Sequence, residues 1–272
     1  MEWPTSTCSG SPPNAAPADV GISRSVNTES KDKMTGIGLL NEKPLHASLK
    51  EWYAQPEDQF EVSVDGFVID IIQDDLLLEI QTSSLASIKS KLIELARAHR
   101  IRLIYPIAQE KWIIKLAKNN SGGVTRRKSP KRGKVEDLFW EMVSFPQLLA
   151  NPNFSLEVLL IREEEVRRYD GKRKWRRRGW VIEERRLLEV VGQWLFEKPT
   201  DWQALLPEKL KEPFTEKDLA EALGIRRQLT QKMAYCLRKA KVIRLMGKRG
   251  QANLYGVAGP QQLDGGNADA PR

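Results

Sequence analysis

Gly66-Phe67-Val68-Ile69-Asp70-Ile71-Ile72-Gln73-Asp74-Asp75-Leu76-Leu77-Leu78-Glu79-Ile80-Gln81 is the stretch that decides how this chain folds. Two runs of β-branched and leucine residues flank a polar Gln-Asp-Asp break, the pattern of two antiparallel strands joined by a tight turn. With Asp74 and Asp75 as the turn residues, Gln73 faces Leu76 and, counting back, Asp70 faces Glu79. Directly opposed residues hold their Cβ atoms roughly 4.5–5.5 Å apart. Alternation then puts Gln81 on the same face as Glu79. Two acids and an amide converge on an otherwise apolar sheet. A carboxylate pair in such a place is costly unless a cation or a shared proton neutralises it. The layout is that of a metal site. A turn of three or four residues would instead separate the acids and leave an ordinary hairpin with Glu79 on a solvated face.

The flanking sequence supplies the rest of the unit. Thr82-Ser83-Ser84 is a helix-start cluster, and Leu85, Ile88, Leu92 and Leu95 recur at helical spacing, predicting a helix to about His99. A strand over Ile101–Tyr105, a break at Pro106 and a short strand over Trp112–Leu116 follow. Upstream, Leu45 to Tyr53 reads as a helix and Phe60 to Val64 as a strand. The predicted order is α-β-β-β-α-β, with the acids on the middle strands.

From Asn41 to Leu116 this arrangement resembles the core of the PD-(D/E)xK nuclease superfamily, in which an Asp ends one strand and Glu-x-Lys sits on the next. Asp70 matches the Asp, Glu79 the Glu, and Gln81 stands where the usual Lys would be. Glu-x-Gln variants occur in that superfamily, so Gln81 weakens the match without breaking it. A Glu on the first helix also recurs there; Glu42 is the best candidate and Glu51 the second. The resemblance implies an α/β, restriction-endonuclease-like αβββαβ core, and a bacterial family. It also implies Mg²⁺ or Mn²⁺ held by Asp70 and Glu79, with the Ile80 carbonyl as a further ligand. Hard oxygen donors suit such an ion, which can activate a water and stabilise charge on phosphate oxygens. Gln81 can orient a water but brings no positive charge. Lys89 or Lys91 on the following helix is the candidate source of that charge, the competing reading being a solvated helix face. The same helix points free backbone N–H groups at any phosphate beyond Gln81.

Charge distribution agrees with a polyanionic partner. The chain has 44 basic and 36 acidic residues, a modest excess, but the basic ones are clustered. Lys118 to Lys134 carries Arg126, Arg127, Lys128, Lys131 and Arg132 with no acid, and reads as a mobile basic loop. Arg167 to Arg178 is a second run, with Arg173, Lys174, Trp175 and Arg176 at a predicted hairpin tip. Basic clusters with an interleaved aromatic suit phosphate contacts and base stacking, although a charge run by itself is more often a solvated face.

The carboxy-terminal part has its own pattern. Thr215-Glu216-Lys217-Asp218 resembles a capping box and opens a helix bearing Leu219, Ala222 and Leu223. Gly224 supplies a turn. A helix from Arg226 to about Ala240 follows, with Gln228, Gln231, Lys232, Tyr235 and Lys239 opposite its apolar stripe. Two short strands, Val242–Leu245 and Asn253–Tyr255, bracket the basic turn Gly247-Lys248-Arg249-Gly250. The set resembles a winged helix-turn-helix domain. The resemblance implies DNA contact through Arg227, Gln228, Gln231 and Lys232, and phosphate contact through Lys248 and Arg249 at the wing tip. Winged helices also serve as protein–protein modules. Here the acids Glu212, Glu216, Asp218 and Glu221 lie in or ahead of the first helix while the basic residues dominate the second helix and wing, which favours nucleic acid.

The expected organisation is a tail at 1–40, a nuclease-like core at 41–118, a basic loop at 119–134, a connector at 135–210, an α+β winged helix at 211–257, and a tail at 258–272. Within the connector, Val135–Leu149 and Glu183–Phe196 read as helices and Phe154–Ile161 as a buried strand. The first tail, rich in Ser, Pro, Thr, Asn and Gly, is expected to be disordered, and Met34 is the expected start of translation. Cys8 and Cys236 make a disulfide improbable, and with only His46 and His99 an ordinary Cys/His zinc site is excluded. No apolar run approaches the roughly 20 residues of a membrane span, and there is no secretory signal, so a cytoplasmic protein is expected. Taken together, the sequence predicts a metal-dependent endonuclease acting on double-stranded DNA, with a homodimer as one assembly. The alternatives are a catalytically inactive, nuclease-fold DNA-binding regulator and an RNA-directed nuclease.

Overall fold

The computed structural model describes residues 43–117, 123–171 and 179–259. Helix α1 (Pro44–Tyr53) leads into strands β1 (Gln59–Val64), β2 (Phe67–Gln73) and β3 (Leu76–Ile80). A 3₁₀ turn (Leu85–Ile88) and helix α2 (Lys89–Leu95) cross over to β4 (Arg100–Lys115). After β5 (Thr125–Lys128) come a 3₁₀ turn (Val135–Leu138), the short helix α3 (Phe139–Met142) and a further 3₁₀ turn (Pro146–Ala150). Strands β6 (Phe154–Tyr169) and β7 (Trp180–Phe196) then form a long hairpin. The chain closes with a 3₁₀ turn (Pro199–Leu205), helices α4 (Glu216–Leu223) and α5 (Arg227–Lys239), and strands β8 (Ile243–Arg249) and β9 (Ala252–Val257).

The result is mixed α/β, a sheet-dominated core with helices packed on it. Strand order is β1-β2-β3-β4-β6-β7, with β5 added to β4 and β8–β9 forming a separate hairpin. The first three strands are an antiparallel meander, β3, β4 and β6 run parallel, and β7 returns antiparallel. The turn expected between β2 and β3 is present: Gln73 faces Leu76 and Ile72 faces Leu77. Asp74 adopts φ 52°, a left-handed conformation that Asp tolerates better than most residues.

Each sheet face buries its own apolar cluster. Leu45 and Leu49 of α1 cover Ile71, Leu78, Ile104, Leu159 and Ile161 on one face. On the other, Leu77, Leu103, Leu156 and Val158 meet Leu92 and Leu95 of α2 and Phe139 and Met142 of α3. This second cluster is continuous with Leu219, Leu229, Met233 and Leu237 of the carboxy-terminal helices. Phe196 stacks on Trp202 at 4.1 Å between ring centroids, closing one end of it. Helix α4 is capped as its sequence predicts, Thr215 and Asp218 exchanging side-chain and backbone hydrogen bonds. Gly224 ends it at φ 60°, which costs glycine nothing and lets α5 turn away at once.

Several expectations are corrected. Glu183–Phe196 is not a helix but most of β7, paired along its length with β6. Val135–Leu149 is not one helix but a 3₁₀ turn, one turn of α3 and a further 3₁₀ turn opened by Pro146. The helix expected to reach His99 ends at Leu95. Pro106 does not break the strand. On β4, Ile104 and Ala108 direct their carbonyls to the β3 side, accepting from Gln81 N–H and Gly133 N–H. Pro106 shares that orientation at a point where β3 has already ended, so its missing N–H breaks no ladder bond. The basic loop is not wholly irregular, since Thr125–Lys128 pairs with Trp112–Lys115. The turn between β8 and β9 lies at Gly250-Gln251, leaving Lys248 and Arg249 on β8 opposite Asn253 and Ala252. Among the described residues no helix is long and apolar enough to cross a membrane. The amino-terminal tail, Cys8, Met34, Glu42, Lys118, Arg173, Lys174, Trp175, Arg176 and the last thirteen residues, 260–272, lie outside the described residues.

Candidate active site

The two acids of the hairpin meet where its ladder fails. Ile71 and Leu78 are the last paired residues of β2 and β3. At the next position the Asp70 carboxylate, not a backbone carbonyl, accepts the N–H of Ile80 at 2.8 Å. The strand also inverts here. Ile69 belongs to the cluster under α2 while Ile71 belongs to the cluster under α1, although residues two apart in a regular strand share a face. Across from Asp70, Glu61 takes φ 55°. Asp70 therefore sits at a local kink, half-buried between the two faces.

Glu79 follows Leu77 and Leu78 into the sheet and is only 6 % exposed. Burial, reinforced by the charge of Asp70, pushes its carboxyl up to about 7 against the opposing pull of Lys91. Asp70 moves the other way. Burial would raise it, but a hydrogen bond and charge from His46, the Ile80 N–H and the charge of Lys91 hold it below the ordinary carboxylate range. His46 Nε2 lies 3.3 Å from Asp70 Oδ2. The Lys91 ammonium donates to Glu79 Oε2 and to the Val68 carbonyl, each at 2.5 Å. The site is two unlike carboxylates, the His46 ring beside Asp70 and the Lys91 ammonium on Glu79.

Among the expected site residues, Asp70, Glu79 and Lys91 come together. Gln81 is adjacent, but its amide turns away, donating to the Ser84 carbonyl at 3.1 Å and Ser87 Oγ at 2.9 Å. Lys89 is exposed on the opposite side of α2. The Ile80 carbonyl lies at the end of the same strand. Two carboxylates and a carbonyl are hard oxygen donors of the kind that Mg²⁺ takes, usually with water and phosphate completing its shell. Among the described residues no group of three or more His, Cys, Asp or Glu is placed to hold a metal ion. A cation here would rest on Asp70 and Glu79 alone among side chains.

One site residue, His46, escaped the sequence reading, and Lys91 was named only beside Lys89. His46 had a faint signal, as one of two histidines in the chain and directly after the Pro44-Leu45 helix start. Lys91 had a clearer one. It lies three residues after Ile88 and four before Leu95, so it falls on the apolar stripe of its helix, where a lysine is out of place unless it has a buried partner.

The expected nucleic-acid residues divide into tied and exposed groups. Arg126 pairs with Glu164, and Lys128 and Arg132 both pair with Glu110. Arg126 and Lys128 also lie over the Trp112 ring. Arg127 and Lys131 are exposed. On α5, Arg227, Gln228 and Gln231 share an exposed, acid-free face with Tyr235, Arg238 and Lys239. Lys232 is turned inward over Trp140 of α3, at 5.5 Å. Lys248 is exposed, whereas Arg249 leans back to 3.7 Å from the Asp218 carboxylate.

Comparison with known proteins locates this site within a family. An uncharacterized protein of Treponema pallidum (strain Nichols) is 30% identical over 223 residues, covering 80% of this chain and 86% of the relative. No solved structure matches. The family model described as "Domain of unknown function (DUF8091)" matches residues 43–197, a span that holds Asp70, Glu79, Lys91 and the whole main sheet. The chain belongs to that family.

Proposed function

We propose that this protein is a Mg²⁺- or Mn²⁺-dependent endonuclease that hydrolyses phosphodiester bonds in double-stranded DNA. The observation that carries the reading is the pair Asp70 and Glu79 at the failed end of a hairpin, with the Lys91 ammonium on Glu79. It is supported by the order α1-β1-β2-β3-α2-β4 with β3 parallel to β4, the arrangement expected of a restriction-endonuclease-like core.

Asp70 and Glu79 would hold the ion, which when bound supplies positive charge to the phosphate and acidifies a water. The chain's own residues have separate tasks. His46 orients Asp70 and favours its ionised form. Lys91 supplies the positive charge that Gln81 lacks, and its ammonium lies within reach of an oxyanion developing beside Glu79. Gln81 braces the crossover turn through Ser84 and Ser87. The α4–Gly224–α5 pair and its basic hairpin fit a winged helix that grips the duplex through the exposed face of α5. A cytoplasmic location is part of the proposal.

One observation favours a second reading. Lys91 already neutralises Glu79, and Gln81 points away from both acids, a geometry compatible with a nuclease-fold DNA-binding regulator that does not cut. Nicking of supercoiled plasmid with Mg²⁺ or Mn²⁺, beside an EDTA control and the Glu79→Ala protein, separates the two. Metal-dependent nicking that disappears in the variant supports the enzyme; DNA binding without cutting supports the regulator. Competition between duplex DNA and RNA assigns the polymer.

A further inference from the structure

The five residues that follow the candidate site, Gln81 to Leu85, are gripped by two charged side chains from distant elements. From β7, Arg185 Nη1 donates to the Thr82 carbonyl at 2.6 Å. Its Nε and Nη2 donate to Glu163 Oε2 at 2.8 and 2.5 Å, and Glu163 is fully buried with Lys111 at 2.9 Å from its other oxygen. From α3, Glu141 Oε2 accepts Ser84 Oγ–H at 2.9 Å and Leu85 N–H at 3.0 Å. Glu141 cannot drift, because its neighbours Phe139 and Met142 are both buried in the main core. Burial, and then the charge of Glu141 against that of Arg185, pushes Tyr105 up to about 12.

The gripped segment decides where two site residues go. Gln81 is its first member. Its last, Leu85, opens the 3₁₀ turn that continues into α2 and delivers Lys91 to Glu79. Backbone pairing from the sheet reaches it at its first N–H, through the Ile104 carbonyl, and its Ser84 carbonyl accepts the Ser87 N–H. Removing one partner of an ion pair whose other member is fully buried leaves an uncompensated charge, so Glu163 holds the Arg185 guanidinium in place.

We propose that Glu141 and Arg185 are positioning residues, a two-sided clamp on Gln81–Leu85 that sets Lys91 on Glu79 and fixes the direction of Gln81. Its catalytic consequence rests on the nuclease reading; its structural consequence does not. The test therefore has two arms, on Glu141→Ala, Glu141→Gln and Arg185→Gln proteins. The first arm is lysine acetylation read by mass spectrometry, with Lys50, buried against Glu61, reporting general loosening. Labelling of Lys91 rises roughly tenfold in Glu141→Ala and Arg185→Gln, Lys50 stays protected, and Glu141→Gln, which keeps an acceptor oxygen, restores protection. Lys91 labelling unchanged in both, or rising in step with Lys50, overturns the clamp. The second arm is plasmid nicking, where kcat falls about tenfold with KM unchanged. Equal loss in Glu141→Gln and Glu141→Ala, or full activity in Arg185→Gln, also overturns it. A parent protein that never cuts sinks the nuclease reading alone, and the labelling arm still decides the clamp.

Discussion

Asp70 takes the ladder position of a backbone carbonyl, accepting the Ile80 N–H with its side chain. The β2–β3 ladder ends here with the Ile80 N–H still paired, and a second carboxylate lies against the buried Glu79. Asp70→Asn preserves an acceptor oxygen but removes the charge, so the fold is expected to survive. Nicking is expected to fall by about 10² or more, because charge stabilisation in such sites is a large term. Circular dichroism beside the plasmid assay checks both halves.

The opposite shifts of the two acids give a pH prediction. Glu79 titrates at about 7 in the folded protein against an ordinary 4.5, so the folded state binds its proton more tightly than the unfolded chain does. Its contribution is fully present below pH 4.5 and is lost as pH rises through 7. Asp70, held low, contributes in the other sense, and its share is lost only as pH falls below the ordinary carboxylate range. In EDTA, the stability difference between pH 5 and pH 8 is expected to shrink in Glu79→Gln by on the order of 2 kcal/mol. Urea midpoints at the two pH values measure it.

Phe139 sits where the sheet core and the carboxy-terminal helices share one cluster, tilted against Trp202 at 6.1 Å. Phe139→Ala is expected to cost about 3–5 kcal/mol. Both parts should still unfold together, so tryptophan fluorescence and far-ultraviolet circular dichroism are expected to report one coincident transition at lower denaturant.

The exposed face of α5 offers three cations, Arg227, Arg238 and Lys239, for phosphate contact. Replacing all three by Ala is expected to flatten the slope of log affinity against log salt by about 2–3, each phosphate contact contributing about 0.9. Lys232→Ala should change that slope little, since its ammonium is spent over Trp140. A slope unaltered by the triple change would place the nucleic acid elsewhere.

The hairpin was legible because strong β-formers on both sides of Asp74-Asp75 admit one register. The capping box and Gly224 were legible because they act through local chemistry. The β7 strand was not. Its register against β6 skips Val191, Leu188 and Glu183, and each skip shifts the two-residue alternation by one. Leu187, Val190, Val191 and Trp194 consequently fall at helical spacing in a strand. In the candidate site, Asp70 and Glu79 share one hairpin and could be paired from sequence. Glu141 and Arg185 lie 57 and 103 residues from the residues they hold, Glu141 on a helix read as far longer than it is and Arg185 on a strand read as a helix.

Those same three irregularities have a consequence for crowded solutions. Among the described residues β7 forms the outer border of the sheet and is 17 residues long, enough backbone to nucleate cross-molecular stacking. Each bulge rotates the unpaired amides and carbonyls out of line, and Glu183, Arg186 and Glu189 set charges along the border. An incoming strand meets only short, interrupted stretches it can match, so the longest border of this fold is guarded against growing from one molecule into the next.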